Sequence, residues 1–334
     1  MKAAIWEAPN ELRIGERPDP APGPEDVVVR VGACGVCGTD LHIAAGDFAY
    51  TPFPHVPGHE FAGEVVAVGG DVRELRAGAR VAVDPSLFCG RCSFCREGRG
   101  NLCKAWGATG DTEDGAFAEY VRVPARNAYA LPDELSYRAG ALVEPVSCAV
   151  RGMHRIVPRP GEAALIVGAG TMGLLLLQLV VRAGVARAAV LDTNPAKLPL
   201  AERLGATATA TGIEALQGHA PDGFDFAIDA TGAAPAIETA FGALRRGGRL
   251  LVFGVANADA RISLSPFRIY NDEIVVLGSM AVLHSFGPAL ELVRSGAIDV
   301  DAMLTHAFAL DAFGEAIENV RAGAGVKSQV LPNG

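Results

Sequence analysis

The sequence predicts an α/β chain in which a β-rich domain is interrupted by a doubly wound parallel-sheet domain. Three observations lead to this. Residues 1–135 alternate short apolar runs with turn residues, and from residue 163 onward the rhythm becomes strand, glycine turn, helix. A GxGxxG stretch opens that second rhythm directly after an apolar run.

Composition sets the outer limits. A length of 334 residues suits about two domains, and 50 % hydrophobic with 20 % charged residues is an ordinary soluble profile. A net charge of −9 opposes nucleic-acid binding, which needs clustered cations. The longest apolar run, 174–181, is interrupted by Gln178 and is too short to cross a bilayer. The opening MKAAIWEAPN has no basic and apolar signal segment, so a cytoplasmic protein without nucleic-acid or membrane partners is expected.

The first elements are the apolar runs 27–31, 61–68, 80–83 and 117–123, all strand-like. Between the last two lie Cys89, Cys92, Cys95 and Cys103, a C-x2-C-x2-C-x7-C quartet. Such close spacing aims successive thiolates at one tetrahedral ion, so structural zinc is expected. A ferredoxin-type cluster would want three residues before the last cysteine and a proline after it; here there are seven, followed by Lys104. A disulfide knot would need an oxidising compartment. A closed four-thiolate site leaves no position for substrate, so metal chemistry would need a second, open site. Upstream, Cys34-Gly35-Val36-Cys37-Gly38-Thr39-Asp40-Leu41-His42 reads as a glycine-rich loop, and Gly58-His59-Glu60 precedes a strand. A thiolate, an imidazole and one or two carboxylates could form that open site. Taken singly, each also fits a buried or solvated side chain.

From residue 164 the runs 164–167, 188–191, 226–228, 249–253 and 274–277 read as buried parallel strands, with helices at 173–183 and 196–204 between them. Gly168-Ala169-Gly170-Thr171-Met172-Gly173 follows the first strand. There the glycines permit the turn, the approach of a pyrophosphate and close helix–strand packing. Asp192 ends the next strand, where it can accept from a ribose hydroxyl and would repel a 2′-phosphate. NAD is therefore expected over NADP, with Lys197 keeping NADP open. Turn residues after later strands, including Thr231, Val255, Gly278 and Ser279, are expected to line the cofactor cleft. The tail, 284–334, contains helix-like segments at 288–294 and 311–321 and a strand near Gln329.

Together these segments, with Gly115-Ala116-Phe117-Ala118-Glu119-Tyr120 and Glu144-Pro145, resemble the zinc-dependent medium-chain dehydrogenase/reductase family, especially its polyol and threonine dehydrogenase branch. The resemblance covers nearly the whole chain. It implies a GroES-like catalytic domain over 1–148 with a structural-zinc lobe at about 86–106, a Rossmann domain over 149–279, and a return to the first domain over 280–334. It implies two zinc ions per chain, one held by the quartet and a catalytic one held by Cys37, His59 and Glu60 or Glu144. Thr39 would contact the substrate oxygen, His42 would be the outer member of a proton relay, and Asp40 would orient the His59 imidazole. Gly38 stands where several alcohol dehydrogenases carry a phosphate-binding arginine or histidine.

The activity implied is hydride transfer between a secondary alcohol (a polyol, cyclitol or sugar alcohol) and NAD, in a homodimer or homotetramer. L-Threonine oxidation and simple alcohol oxidation are the rivals within the family. A zinc-free quinone or enone reductase is opposed by Cys37, His59 and Glu60, and a non-enzymatic nucleotide-binding protein is the third class. Phe48, Tyr50, Phe53, Phe94 and Trp106 are candidate pocket residues that read equally well as core aromatics; Cys34 and Cys148 are expected to be structural.

Overall fold

The computed structural model describes residues 1–48 and 51–334, so Tyr50 lies outside the described residues. The chain divides into two compact units, one of residues 1–147, 282–296 and 300–334, the other of 148–281 with 297–299.

The first unit is built on the strand Asp26–Gly35, whose Val27, Val29 and Val31 are fully buried. It pairs antiparallel with Glu60–Val68 on one side and Lys327–Leu331 on the other, and with Tyr120–Pro124 near its start. The sheet continues through Arg80–Val83 to Ala128–Ala130 at one edge and Leu304–Ala309 at the other. Register is what matters for function. Gly35 sits opposite Glu60 and Cys34 opposite Phe61, so Cys37 and His59, each just beyond the pairing, emerge at the same end of the sheet. The core beneath is aliphatic with Trp6, Phe61, Phe117 and Phe313, and Phe48 and Phe53 pack against it rather than standing free.

The segment after Cys37 is a helix, Gly38–Ala45, and not the loop its glycines suggested. Two features override the glycine signal. Asp40 accepts a hydrogen bond from the Cys37 N–H at 2.8 Å, half of a capping box, and Ile43 and Ala44 are buried on the inner face.

The second unit is a parallel sheet with strands Ala163–Val167, Arg187–Leu191, Ala208–Ala210, Phe224–Asp229, Leu244–Val252 and Val275–Gly278. Numbered along the unit, their spatial order is 3-2-1-4-5-6. This is the doubly wound arrangement, and its topological switch lies between strands 1 and 4. The helix Thr171–Arg182 packs Leu174–Leu177, Leu179 and Val180 inward, which explains its almost continuous apolar run. Among the described residues no helix is long and apolar enough to cross a membrane.

Candidate metal centres and nucleotide loop

The four cysteines converge. Cys92 and Cys95 Sγ are 3.5 Å apart, Cys92 and Cys103 Sγ 3.9 Å, and Cys89 and Cys95 Sγ 4.0 Å. A tetrahedron with zinc–sulfur bonds of about 2.3 Å has edges of about 3.8 Å, so the quartet is already spaced for zinc. Peptide N–H groups support negative sulfur: Cys103 Sγ accepts from Cys89 and from Ala105, each at 3.3 Å. Lys104 and Cys95 N–H groups push Cys92 down to about 6, whereas burial and then Cys92 push Cys95 up to about 12. The short pair Ser86–Leu87 with Gly107–Ala108 closes the lobe, and His284 Nε2 lies 3.0 Å from the Gly98 carbonyl.

The second group is Cys37, His59 and Glu60, whose ligand atoms all lie within 4.8 Å of one another. His59 and Glu60 are buried and Cys37 is partly exposed, so sulfur, nitrogen and oxygen donors are gathered in one place. That donor set suits zinc with a position left open. Glu144, in the first turn of the helix Val143–Ile156, is buried but does not belong to this group. Of the two carboxylates the sequence puts forward, the geometry gathers only Glu60.

Three charged neighbours define the electrostatics. Lys327, 3 % exposed, forms an ion pair with Glu60 Oε2, and its Nζ donates to the Val36 carbonyl at 2.9 Å. Burial opposes its charge, but Glu60, Cys37 and Asp40 outweigh that and hold its pKa above the usual lysine value. Burial also disfavours the His59 imidazolium, yet Asp111 and then Cys37 raise its pKa well above normal. The site is thus an anionic field that favours a cation. Asp40, expected to orient His59, caps the helix by accepting from the Cys37 N–H through Oδ2 and keeps a buried Oδ1 without a partner; burial raises its pKa to about 7 against the influence of nearby His59. The carboxylate beside His59 is Asp111, whose Oδ1 lies 3.1 Å from Nδ1, though out of line for a directed hydrogen bond.

Thr39 Oγ1 is 3.8 Å from Cys37 Sγ, and His42 follows three residues later on the same helix, partly exposed. Phe94 stacks under the Arg99 guanidinium at 5.4 Å, and Trp106 Nε1 is buried. Cys34 is fully buried and Cys148 partly so.

In the second unit the GxGxxG turn sits at the switch point. Gly168 has φ +104°, and a Cβ on Gly173 would lie 1.8 Å from the Gly168 carbonyl oxygen, so helix and turn touch backbone to backbone. Gly170, the helix N-cap, faces open space, and Thr171 and Met172 behind it are partly buried. Asp192 Oδ2 accepts from Ala169 N–H at 2.7 Å and Oδ1 from Asn194 N–H at 2.8 Å, tying the strand end to the glycine loop. Each oxygen keeps a lone pair for a ribose hydroxyl. Thr231, across from Gly168, is held by a residue the sequence reading passed over. Fully buried Asp229 accepts from Thr231 N–H at 3.0 Å, Thr231 Oγ1 at 2.6 Å and Gly232 N–H at 3.1 Å. The D-x-T-G spelling after an apolar strand was the signal for this turn. Val255 is exposed, Gly278 ends the last strand and Ser279 follows it.

Comparison with known proteins places this geometry. The family model of the alcohol dehydrogenase GroES-like domain matches residues 23–133, and that of the zinc-binding dehydrogenase matches residues 171–295. The chain is 35 % identical over 342 residues to D-arabinitol dehydrogenase 1 of Uromyces fabae, covering 100 % of this chain and 97 % of the relative. It is 37 % identical over 307 residues to D-altritol 5-dehydrogenase of Agrobacterium fabrum, covering 90 % and 88 %. A zinc-binding dehydrogenase from Sinorhizobium meliloti, solved bound to NADP, superposes with a TM-score of 0.94 at 36 % identity over 99 % of each chain. An alcohol dehydrogenase from Escherichia coli complexed with NADH gives 0.93 at 28 % identity over 99 % of each. Its two domains and full-length relatives make this chain an oxidoreductase of the zinc-dependent medium-chain dehydrogenase/reductase family.

Proposed function

We propose that the chain oxidises a secondary hydroxyl of a polyol or sugar alcohol, with catalytic zinc held by Cys37, His59 and Glu60, structural zinc held by the quartet, and NAD in the glycine loop. The observation that carries this reading is the Cys37–His59–Glu60 group, three different donors within 4.8 Å of one another at one end of the sheet. The polyol-acting names of its relatives supply the substrate class. When bound, the zinc lowers the pKa of a substrate hydroxyl and the nicotinamide accepts hydride.

The chain's own residues do the rest. Thr39 receives the substrate proton at Oγ1, and His42, one helical turn on, passes it to solvent. Lys327 balances the Glu60 charge. The N–H groups at the start of helix Thr171–Arg182 take the pyrophosphate, and Asp192 accepts from the ribose, which favours NAD. Among the described residues the seven cysteines form no disulfide, which suits a reducing cytoplasm.

The chain is further proposed to form a homo-oligomer through the edge strand Val275–Gly278. Val275 and Val276 are exposed there, and Phe267 and Tyr270 of the preceding helix are 71 % and 82 % exposed. Sedimentation should find no monomer at micromolar concentration.

The activity test is NADH formation across polyols, cyclitols, simple secondary alcohols and L-threonine. Polyols should turn over best, and Cys37→Ser should abolish turnover while NADH still binds. Preference for L-threonine, or wild-type activity in Cys37→Ser, would overturn the reading.

A further inference from the structure

Asp111 has no part in the assignments above, yet it stands closer to His59 than the aspartate expected there. His59 Nδ1 and Asp111 Oδ1 are both buried and 3.1 Å apart, and among the described residues neither has a hydrogen-bond partner elsewhere. Asp40 accepts from the Cys37 N–H through Oδ2; its buried Oδ1 also lacks a partner, but among the described residues Asp111, and not Asp40, is the carboxylate paired with the His59 ring. The backbone brings Asp111 there firmly. Gly110, at φ +92°, lies so close to the His59 strand that a Cβ would sit 2.3 Å from the Gly58 oxygen and 2.8 Å from His59 N. Ala116 N–H donates to Gly58 O at 2.9 Å and Phe117 N–H to Pro57 O at 3.0 Å, zipping residues 109–117 to residues 56–60. Thr51 Oγ1 donates to the Asp111 carbonyl at 2.7 Å, which fixes the peptide and leaves the carboxylate facing the ring.

We propose that Asp111 is the positioning residue for His59: its carboxylate, 3.1 Å from Nδ1, favours the tautomer that keeps the proton on Nδ1 and the lone pair on Nε2, and it restrains the plane of the ring. The proposal rests on the catalytic-zinc reading above. A neutral imidazole carries one N–H, and only the Nδ1–H tautomer leaves Nε2 free to bind a cation. A carboxylate on Nδ1 favours that tautomer and makes Nε2 more basic, and losing such a partner weakens metal affinity by roughly 10- to 100-fold. Asp111 reaches His59 from the loop beyond the cysteine lobe, whereas Asp40 comes from the helix that carries Thr39 and His42. Orientation of the ligand and placement of the relay are therefore assigned to different segments.

The test uses the full chain. Wild type and Asp111→Asn are dialysed against graded chelator, and zinc per chain is measured; cobalt-substituted samples of each are compared by visible absorption. Wild type should hold two ions. Asp111→Asn should release one at roughly 10- to 100-fold lower chelator, keep the quartet ion and NADH binding, and show a shifted cobalt ligand-field band. Nitrogen-15 NMR of the wild-type zinc form needs no variant and should find the His59 proton on Nδ1. Equal retention of both ions by Asp111→Asn, or a proton on Nε2, would overturn the assignment to Asp111. A wild type that holds a single ion would instead remove the catalytic-zinc reading beneath it.

Discussion

Replacing Lys327 with methionine isolates one term of the site. Lys327 is 3 % exposed and Glu60 1 %, so their ion pair is sealed from water. Methionine keeps most of the unbranched stem, so little volume is lost and the change is one of charge. Removing one partner of a buried pair leaves the other charge uncompensated, which costs about 3–5 kcal/mol. The Val36 carbonyl, which accepts from Lys327 Nζ at 2.9 Å, loses its donor as well. At about 2–4 °C per kcal/mol, the melting temperature should fall by roughly 10 °C. Urea unfolding, with zinc content measured on the same samples, checks the figure. Saturating zinc should reduce the deficit, because a cation near Glu60 replaces the missing charge. Lys327→Met combined with Glu60→Gln should recover more than half of the loss, since the stranded carboxylate is then neutral. A single-variant loss below about 1 kcal/mol, or a double variant no better than Lys327→Met, would refute the reasoning that the pair is charge-coupled.

Three further outcomes are expected. Gly173→Ala places a methyl 1.8 Å from the Gly168 oxygen, so the turn must open; NADH affinity should drop by more than tenfold by fluorescence titration while the quartet keeps its zinc. Cys95→Ser should lower zinc from about two to one per chain and lower stability measurably, as read by emission spectroscopy and thermal melts. Asp225 is opposed by burial, but the Ala163 N–H and Arg245 hold its pKa below the usual carboxylate value. Its stabilisation is therefore present above the unfolded carboxylate pKa and lost as pH falls through the lower folded value. Asp225→Asn should flatten that acid limb in unfolding measured from neutral pH downward, and an unchanged limb would count against the linkage.

What the sequence made legible depended on range. The strand at 163–167, the glycine turn and Asp192 lie within thirty residues, and their spacing alone gave their relationship. Cysteine spacing likewise announced the convergence of four thiols. The hairpin Lys2–Ala8 with Glu11–Glu16 was missed because its second strand buries no residue fully and carries little apolar pattern. The helix Gly38–Ala45 was read as loop because Gly38 and the short polar residues after it mimic a turn, and the capping bond from Cys37 is visible only in three dimensions. Glu60 and Glu144 could not be told apart by residue type; strand register, which sets Glu60 opposite Gly35, brings only Glu60 into the group with Cys37 and His59.

The hardest features to foresee were the charge partners, and their logic belongs to the whole site rather than to any motif. Lys327 reaches Val36 across 291 positions, and Asp111 reaches His59 from a loop whose spelling, Thr109-Gly110-Asp111-Thr112-Glu113-Asp114-Gly115, looks like a solvated turn. Gathered in one buried region, Cys37, Asp40, Glu60 and Asp111 outnumber the single lysine that faces them. Buried acids in such excess are unstable unless they take up protons or a cation. The raised pKa of His59, which Asp111 and then Cys37 hold up against burial, is the proton-uptake response to that excess, while burial itself raises Asp40. A divalent ion among the same donors answers the same deficit more completely, because it supplies two charges at one point. On the zinc reading proposed above, the acids around His59 have a reason to be there that no one of them reveals: they would set the affinity of the site for a cation, and Lys327 would limit how far it rises.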